Sequence, residues 1–284
     1  MYIDLSKLND GFSSKLKIIS FFLAVITIRK FKKKLFIYEK KNKECPYLFT
    51  DYLKIKNFKV IKLNKRPKTK ILFNPYNYSS ELSKLKKENM IQNVTNRKFN
   101  LIAETLHGHF IPNKKVQRLI EKINLPKKFV AIHIRSTDRV IFLKNFLKKI
   151  QFSEMIFDFQ IKKMIKNINY FIKLKSKTNQ VFICSDDKKY KEKFFKELKK
   201  NNFVFSNISK FNINKFRQTR GIDFITELFC LSKSQIIIST VGGAVTKSAY
   251  LISKKRIKVY RWINVMNLHF LFRVVIFIIF NLIK

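Results

Sequence analysis

The sequence predicts an α/β protein whose second half is a parallel sheet with helices on both faces. Three observations carry that prediction. Between residues 129 and 260, short apolar runs alternate with longer stretches of helical period, the pattern of strand–helix–strand units. The longer stretches put apolar residues on one stripe and lysines on the other. Three of the short runs end abruptly in polar or glycine-containing clusters.

In the first half, residues 18–28 (IISFFLAVITI) form an apolar run flanked by Lys15, Lys17, Arg29 and Lys30. It is too short to span a bilayer, starts late for a signal peptide and lacks a small-residue cleavage pattern. It reads as a buried or interfacial helix. Residues 35–39 and 58–63 read as strands, 47–56 as a helix between them, and 71–73 as another strand. After Pro112, Val116, Leu119, Ile120 and Ile123 recur at helical spacing over 114–123. A break at Pro126 sets the expected boundary between an N-terminal domain, 1–125, and a second domain, 126–262.

The second half opens with a strand over 129–135. Residues 155–174 carry Ile161, Met164, Ile165, Ile168, Phe171 and Ile172 as a helical stripe. A strand at 180–184 (QVFIC) follows, then a Lys-rich helix marked by Tyr190, Phe194 and Leu198. A short strand at 202–205, a helix at 222–232, a strand at 235–239 (QIIIS), a helix at 244–253 and a strand at 256–260 complete the series. The apolar run 274–283, within 263–284, reads as a helix that packs back on the body or lies at a membrane interface. Neither end predicts an integral membrane protein.

The 284 residues allow one large domain or two modest ones, and 5 Gly with 5 Pro exclude a collagen-like or linker-rich architecture. A formal charge of +43 attracts phosphates, anionic lipids and acidic substrates. The excess is mostly lysine scattered along the whole chain. That fits solvated lysine faces or an anionic membrane surface better than nucleic acid, whose binders concentrate Arg and Lys on one element or face. Cys45, Cys184 and Cys230 are far apart, with no CxxC, so a reducing compartment is expected. The expected location is the cytoplasm, free or peripheral on the inner face of the membrane. The histidines show no zinc-like spacing; His107 and His109, either side of Gly108, are a weak metal signal, and no metal site is expected.

In an open parallel α/β sheet, ligands bind beyond the carboxyl ends of the strands. The first strand of the second half is followed by Arg135, Ser136, Thr137, Asp138 and Arg139. The second is followed by Ser185, Asp186 and Asp187, and the later apolar strand by Ser239, Thr240, Val241, Gly242 and Gly243. All three clusters are therefore expected at one edge. Thr137, Asp138, Asp186 or Asp187 can serve simply as helix caps, and the Gly pair as a tight turn. Arg135 is harder to assign a passive role: a guanidinium at the end of an apolar strand needs an anionic partner, and its fork suits phosphate. A structural pair with Asp138 is the alternative. Glycines ahead of a helix let backbone N–H groups approach a phosphate. Together these point to a diphosphate site, with Asp186, Asp187 and Glu227 as acceptors for a sugar or base.

At these residues the chain resembles the fucosyltransferases that use GDP-fucose, in particular the α1,6- and protein-O-fucosyltransferase group. The family strand ends in H-x-R-R-x-D; here it reads His133-Ile134-Arg135-Ser136-Thr137-Asp138. The downstream T/S-D-D is Ser185-Asp186-Asp187, the acidic helix residue is Glu227 before Leu231-Ser232, and the Ser/Thr-rich turn is Ser239–Gly243. Order and spacing match over about residues 105–255. The resemblance implies a GT-B type fold of two Rossmann-like domains, with the first on the acceptor side and the second holding the nucleotide. It implies an inverting, metal-independent transferase that uses no cofactor beyond its nucleotide-sugar donor, GDP-fucose, and a glycan or lipid-linked acceptor. By carry-over, Arg135 contacts the donor diphosphate and assists departure of GDP. His133 and Glu227 hold the nucleoside end, Asp186 and Asp187 shape the pocket, and Ser239–Gly243 meets the phosphates. Thr137, Arg139 and Arg220 complete the donor set, and Asp138, His107 and His109 are the candidates for a general base.

Two departures stand out. The second arginine is Ser136, which removes a positive charge that Arg139, Arg217 or Arg220 can restore, and the expected Ser pair of the last turn is Gly242-Gly243. They leave the donor's identity open. They also keep two rival functions in view: a catalytically silent relative, and a basic peripheral protein that binds anionic membrane or nucleic acid.

Overall fold

The computed structural model describes residues 2–6, 12–41, 47–66, 78–87, 91, 94–135, 150–206, 221–241 and 243–263. The chain is mixed α/β and divides into two units. One comprises Met1–Lys122, Phe224–Ser232 and Lys247–Arg256, the other Ile123–Asp223, Lys233–Thr246 and Ile257–Lys284.

The first unit holds β1 (Tyr2–Asp4), α1 (Phe12–Ile28), β2 (Lys34–Tyr38), β3 (Leu53–Ile55), β4 (Lys59–Lys62), α2 (Tyr78–Lys87), α3 (Asn96–His107), β5 (Phe110–Pro112) and α4 (Lys114–Lys122). β1, β2 and β4 form a parallel sheet with β2 in the middle, and β3 and β5 pair antiparallel. The apolar run at 18–28 is the buried helix of the two alternatives. Every residue from 18 to 26 in α1 is buried, as expected of a helix that is apolar on all sides. Phe21 packs on Phe99 of α3 with ring centroids 4.6 Å apart.

Residues 47–56, expected to be a helix, are a turn followed by β3. Glu39, buried after β2, takes the Phe49 N–H at 2.8 Å, the Thr50 N–H at 3.0 Å and the Thr50 hydroxyl at 2.6 Å. A carboxylate that holds two successive amides fixes this turn, and the chain beyond it is taken up by pairing with β5. The strand expected at 71–73 lies outside the described residues, as do 263–284 apart from Ile263.

The second unit holds β6 (Val130–Ile134), α5 (Ile150–Lys175), β7 (Gln180–Ser185), α6 (Lys188–Leu198) and β8 (Phe203–Ser206). They are followed along the chain by α7 (Gly221–Lys233), β9 (Ile236–Val241), α8 (Ala244–Ile252) and β10 (Lys258–Ile263). Its five strands are all parallel, in the order β10-β9-β6-β7-β8. The expected stripe of α5, Ile161, Met164, Ile168 and Ile172, packs on Val130, Ile132 and Ile134 of β6 and on Val181, Ile183, Ile236 and Ile238 of its neighbours. Alternation along β6 turns Ala131 and His133 to the other face. The strand order reverses between β6 and β9, the place where open α/β sheets form a crevice beyond their carboxyl ends. Cys184 and Cys230 are buried, and the Cys184 thiol donates to the Ile132 carbonyl at 3.5 Å. Among the described residues no helix is long and apolar enough to cross a membrane.

Candidate functional site

Parallel pairing sets the carboxyl ends of β7, β6 and β9 side by side. His133 is level with Cys184 on one neighbour and Ser239 on the other, and Ile134 is level with Ser185. The polar residues that follow these strands therefore emerge together.

Arg135 leaves β6 at the reversal point, half-buried. Thr240, completely buried at the end of β9, holds its backbone on both sides. The Arg135 N–H donates to Thr240 Oγ1 at 2.9 Å, and the same hydroxyl donates to the Arg135 carbonyl at 3.3 Å. The Arg135 side chain then passes over Gly243, immediately before α8. A Cβ on Gly243 would lie 3.4 Å from Arg135 Nη1 and 3.8 Å from its Cδ. No described glycine has positive φ, so Gly243 serves by leaving room beside the guanidinium and not by permitting a special backbone turn. The first N–H groups of α8 lack helical acceptors, and the helix dipole adds positive potential there. A guanidinium and a helix N-terminus thus share one end of the second unit.

His133, buried on β6, has Nδ1 3.1 Å from Thr246 Oγ1 and 3.4 Å from Ser239 Oγ. The Thr246 hydroxyl donates to Ser239 Oγ at 3.4 Å. This cluster fastens the first turn of α8 to β6 and β9. Thr246 has no counterpart in the sequence argument; its role depends on α8 turning back toward His133, which no spacing reveals.

Ser185 and Asp187 make a turn. The Ser185 hydroxyl donates to the Asp187 carbonyl at 2.9 Å and accepts the Asp187 N–H at 3.0 Å. Asp187 is the N-cap of α6, accepting the Tyr190 N–H at 3.3 Å. Its carboxylate is engaged as a cap, one of the two roles open to it from the sequence. Asp186 N–H donates to the Ile134 carbonyl at 3.4 Å, tying the turn to β6. Glu227 is buried on α7, in the segment that belongs to the first unit. Thr137, Asp138, Arg139, Arg220 and Gly242 lie outside the described residues, as do Ser136 and Arg217.

Of the base candidates, His107 is fully enclosed. Ser20 Oγ donates to the Leu16 carbonyl, so at 2.9 Å it accepts the Nδ1–H of His107. Burial, then the positive field of Lys247, pushes the imidazole down to about 3, with Glu104 acting the other way. A ring shut off from solvent does not meet an acceptor hydroxyl, so His107 is a structural residue. His109 is also held below its ordinary value, by burial first.

α1 begins at Phe12, ahead of the apolar run, so Lys15, expected as a flanking charge, and Ser13 fall inside the helix. Ser13 Oγ and Lys15 Nζ, in the first turn of α1, are buried and have no hydrogen-bond partner. Lys15 is 0% exposed. They place unspent polarity at a helix N-terminus of the first unit. Among the described residues no group of His, Cys, Asp and Glu is arranged to hold a metal ion.

No family model matches the sequence, and no curated protein matches it. Solved structures do. A NodZ α-1,6-fucosyltransferase soaked with GDP-fucose aligns over 88% of this chain and 92% of its own, at 14% identity and a TM-score of 0.53. The fucosyltransferase NodZ from Bradyrhizobium aligns over 88% and 93%, at 12% identity and a TM-score of 0.51. POFUT1 in complex with GDP-fucose aligns over 92% and 96%, at 11% identity and a TM-score of 0.52. The chain has the GT-B fold of these fucosyltransferases. The likeness runs through nearly the whole chain, so the GT-B fold covers the first half as well, where the sequence motifs are sparse.

Proposed function

We propose that the chain is a glycosyltransferase. It transfers a sugar from a nucleotide diphosphate donor, GDP-fucose foremost, to a glycan or lipid-linked acceptor with inversion. The observation that carries this reading is the Arg135 side chain lying over Gly243 at the start of α8. As the bond to the sugar breaks, negative charge grows on the departing diphosphate. A fixed guanidinium beside helix N–H groups stabilises that charge more than it stabilises the ground state. The two hydrogen bonds with Thr240 fix where Arg135 starts, so little reorganisation is needed. His133, Ser239 and Thr246 keep α8 against the sheet. Asp138 is proposed as the general base, and Thr137, Arg139, Asp186, Arg220, Glu227 and Gly242 as further donor contacts, on the family resemblance.

A thermal-shift series with GDP, UDP, ADP and inorganic pyrophosphate tests this reading. Selective stabilisation by GDP is expected, because a ligand that binds only the folded state raises its stability. Equal shifts with every anion are the signature of a charge-driven binder and overturn it.

A further inference from the structure

Three chain segments of the first unit meet at one end of it: residues 29–34 after α1, 56–59 before β4, and 254–256 after α8. The Lys59 N–H donates to the Lys33 carbonyl at 2.9 Å, and the Lys56 N–H to the His109 carbonyl at 2.8 Å. A Cβ on Gly108 would lie 3.6 Å from Lys254 Cγ, so Lys254 crosses the turn next to His109. Burial, and after it the ammonium groups of Lys56, Lys254 and Lys33, hold His109 below its ordinary value, in keeping with that convergence.

Ten of the 13 residues in these segments are Lys or Arg, all ten are exposed, and none of the 13 is acidic. The others are Phe31, Asn57 and Phe58. Phe31 is 43% exposed, with the Arg29 guanidinium 5.5 Å from its ring centre. Lys30, Lys254 and Lys255 adopt φ of 53°, 57° and 64° just past the ends of α1 and α8, a place where glycine is usual. The helix ends thus present lysine side chains where a bare turn would serve.

We infer that this end of the first unit is a docking surface for an anionic lipid bilayer, with the lysines on the headgroups and Phe31 in the interface. Charge complementarity selects the partner. A dense cation patch, whose segments carry no acid of their own and in which Lys255 is paired with Glu104 of α3 at 2.7 Å, matches a sheet of anionic headgroups, and the exposed ring of Phe31 suits the headgroup boundary. The surface differs from both apolar ends of the chain and stands independently of the donor site.

The test is sedimentation of the full chain with vesicles of phosphatidylcholine alone or with added phosphatidylglycerol. Lys32, Lys33 and Lys34 changed together to Gln should weaken binding to the anionic vesicles roughly a hundredfold. The same change at Lys162, Lys163 and Lys166, exposed on α5, should weaken it far less although it removes the same charge. Equal losses in the two triple variants mean diffuse attraction by net charge and overturn the proposal. A Phe31→Trp reporter in a Trp262→Phe background should shift to the blue on anionic vesicles; unchanged emission also overturns it. If the 32–34 variant loses affinity for single-stranded RNA but not for vesicles, the surface serves nucleic acid and the inference fails.

Discussion

One hydroxyl, that of Thr240, both accepts the N–H of Arg135 and donates to its carbonyl, at 2.9 and 3.3 Å. The two residues are 105 positions apart, Thr240 on β9 and Arg135 just past the end of the adjacent β6, where the strand order reverses. The contact sets the direction in which the Arg135 side chain leaves the sheet.

Thr240→Val keeps the shape and removes both bonds. Kinetics with GDP-fucose should show a fall in turnover of roughly one to two orders of magnitude, the cost of a misplaced catalytic group. Thr240→Ser, which keeps the hydroxyl, should stay near the parent. A normal rate in the Val variant means that Arg135 does not depend on this clamp.

Gly243 is predicted to matter through size alone. Its missing Cβ would sit at ordinary contact distance from Arg135 Nη1, so Gly243→Ala should fold and bind GDP nearly as the parent does. Gly243→Leu has to displace the guanidinium, and its GDP affinity should drop toward that of a variant without Arg135. Titration calorimetry on the two variants separates size from backbone freedom, since the described glycines have no positive φ.

His107 predicts an acid-side loss of stability. Its imidazole is neutral in the fold, held down to about 3, against 6.5 when unfolded. The unfolded chain therefore binds the extra proton as pH falls below 6.5. The contribution is complete above that pH and lost progressively down to about 3, at about 1.4 kcal/mol per pH unit. Urea midpoints of the parent should fall between pH 7 and pH 5 more steeply than those of His107→Phe. Parallel slopes in the two proteins would refute the assignment.

In the turn after β7, Asp187 is predicted to be structural. Asp187→Ala removes the α6 cap and should cost about 1 kcal/mol in chemical unfolding. GDP affinity should barely change, because the carboxylate is engaged with the Tyr190 N–H. A large loss of GDP affinity at constant stability would instead place Asp187 in the donor pocket.

The second unit was largely legible because its signals are local. The period of Ile161, Met164, Ile168 and Ile172 marks α5, and the apolar run ending at Arg135 marks β6. The strand-end rule then brought Arg135, Ser185 and Ser239 to one edge. The first unit was less legible because distant groups decide it. Residues 47–56 lose their helix to the Glu39 carboxylate, and β1, β3 and β5 are three-residue strands too short to carry a period. One miss had a signal: α3 starts at the Thr95 cap and buries Phe99, Ala103, Leu106 and His107 at helical spacing. Within the site, the role of Thr246 was invisible because a hydroxyl inside an apolar helix shows its partner only after folding.

Titration of GDP into the parent and Arg135→Ala, with unfolding midpoints measured alongside, decides whether Arg135 holds the donor diphosphate. Loss of a charge-assisted bond to phosphate should weaken GDP binding by roughly ten- to a hundredfold, with stability nearly unchanged. Equal affinity in the two proteins would contradict the placement of the donor diphosphate at Arg135.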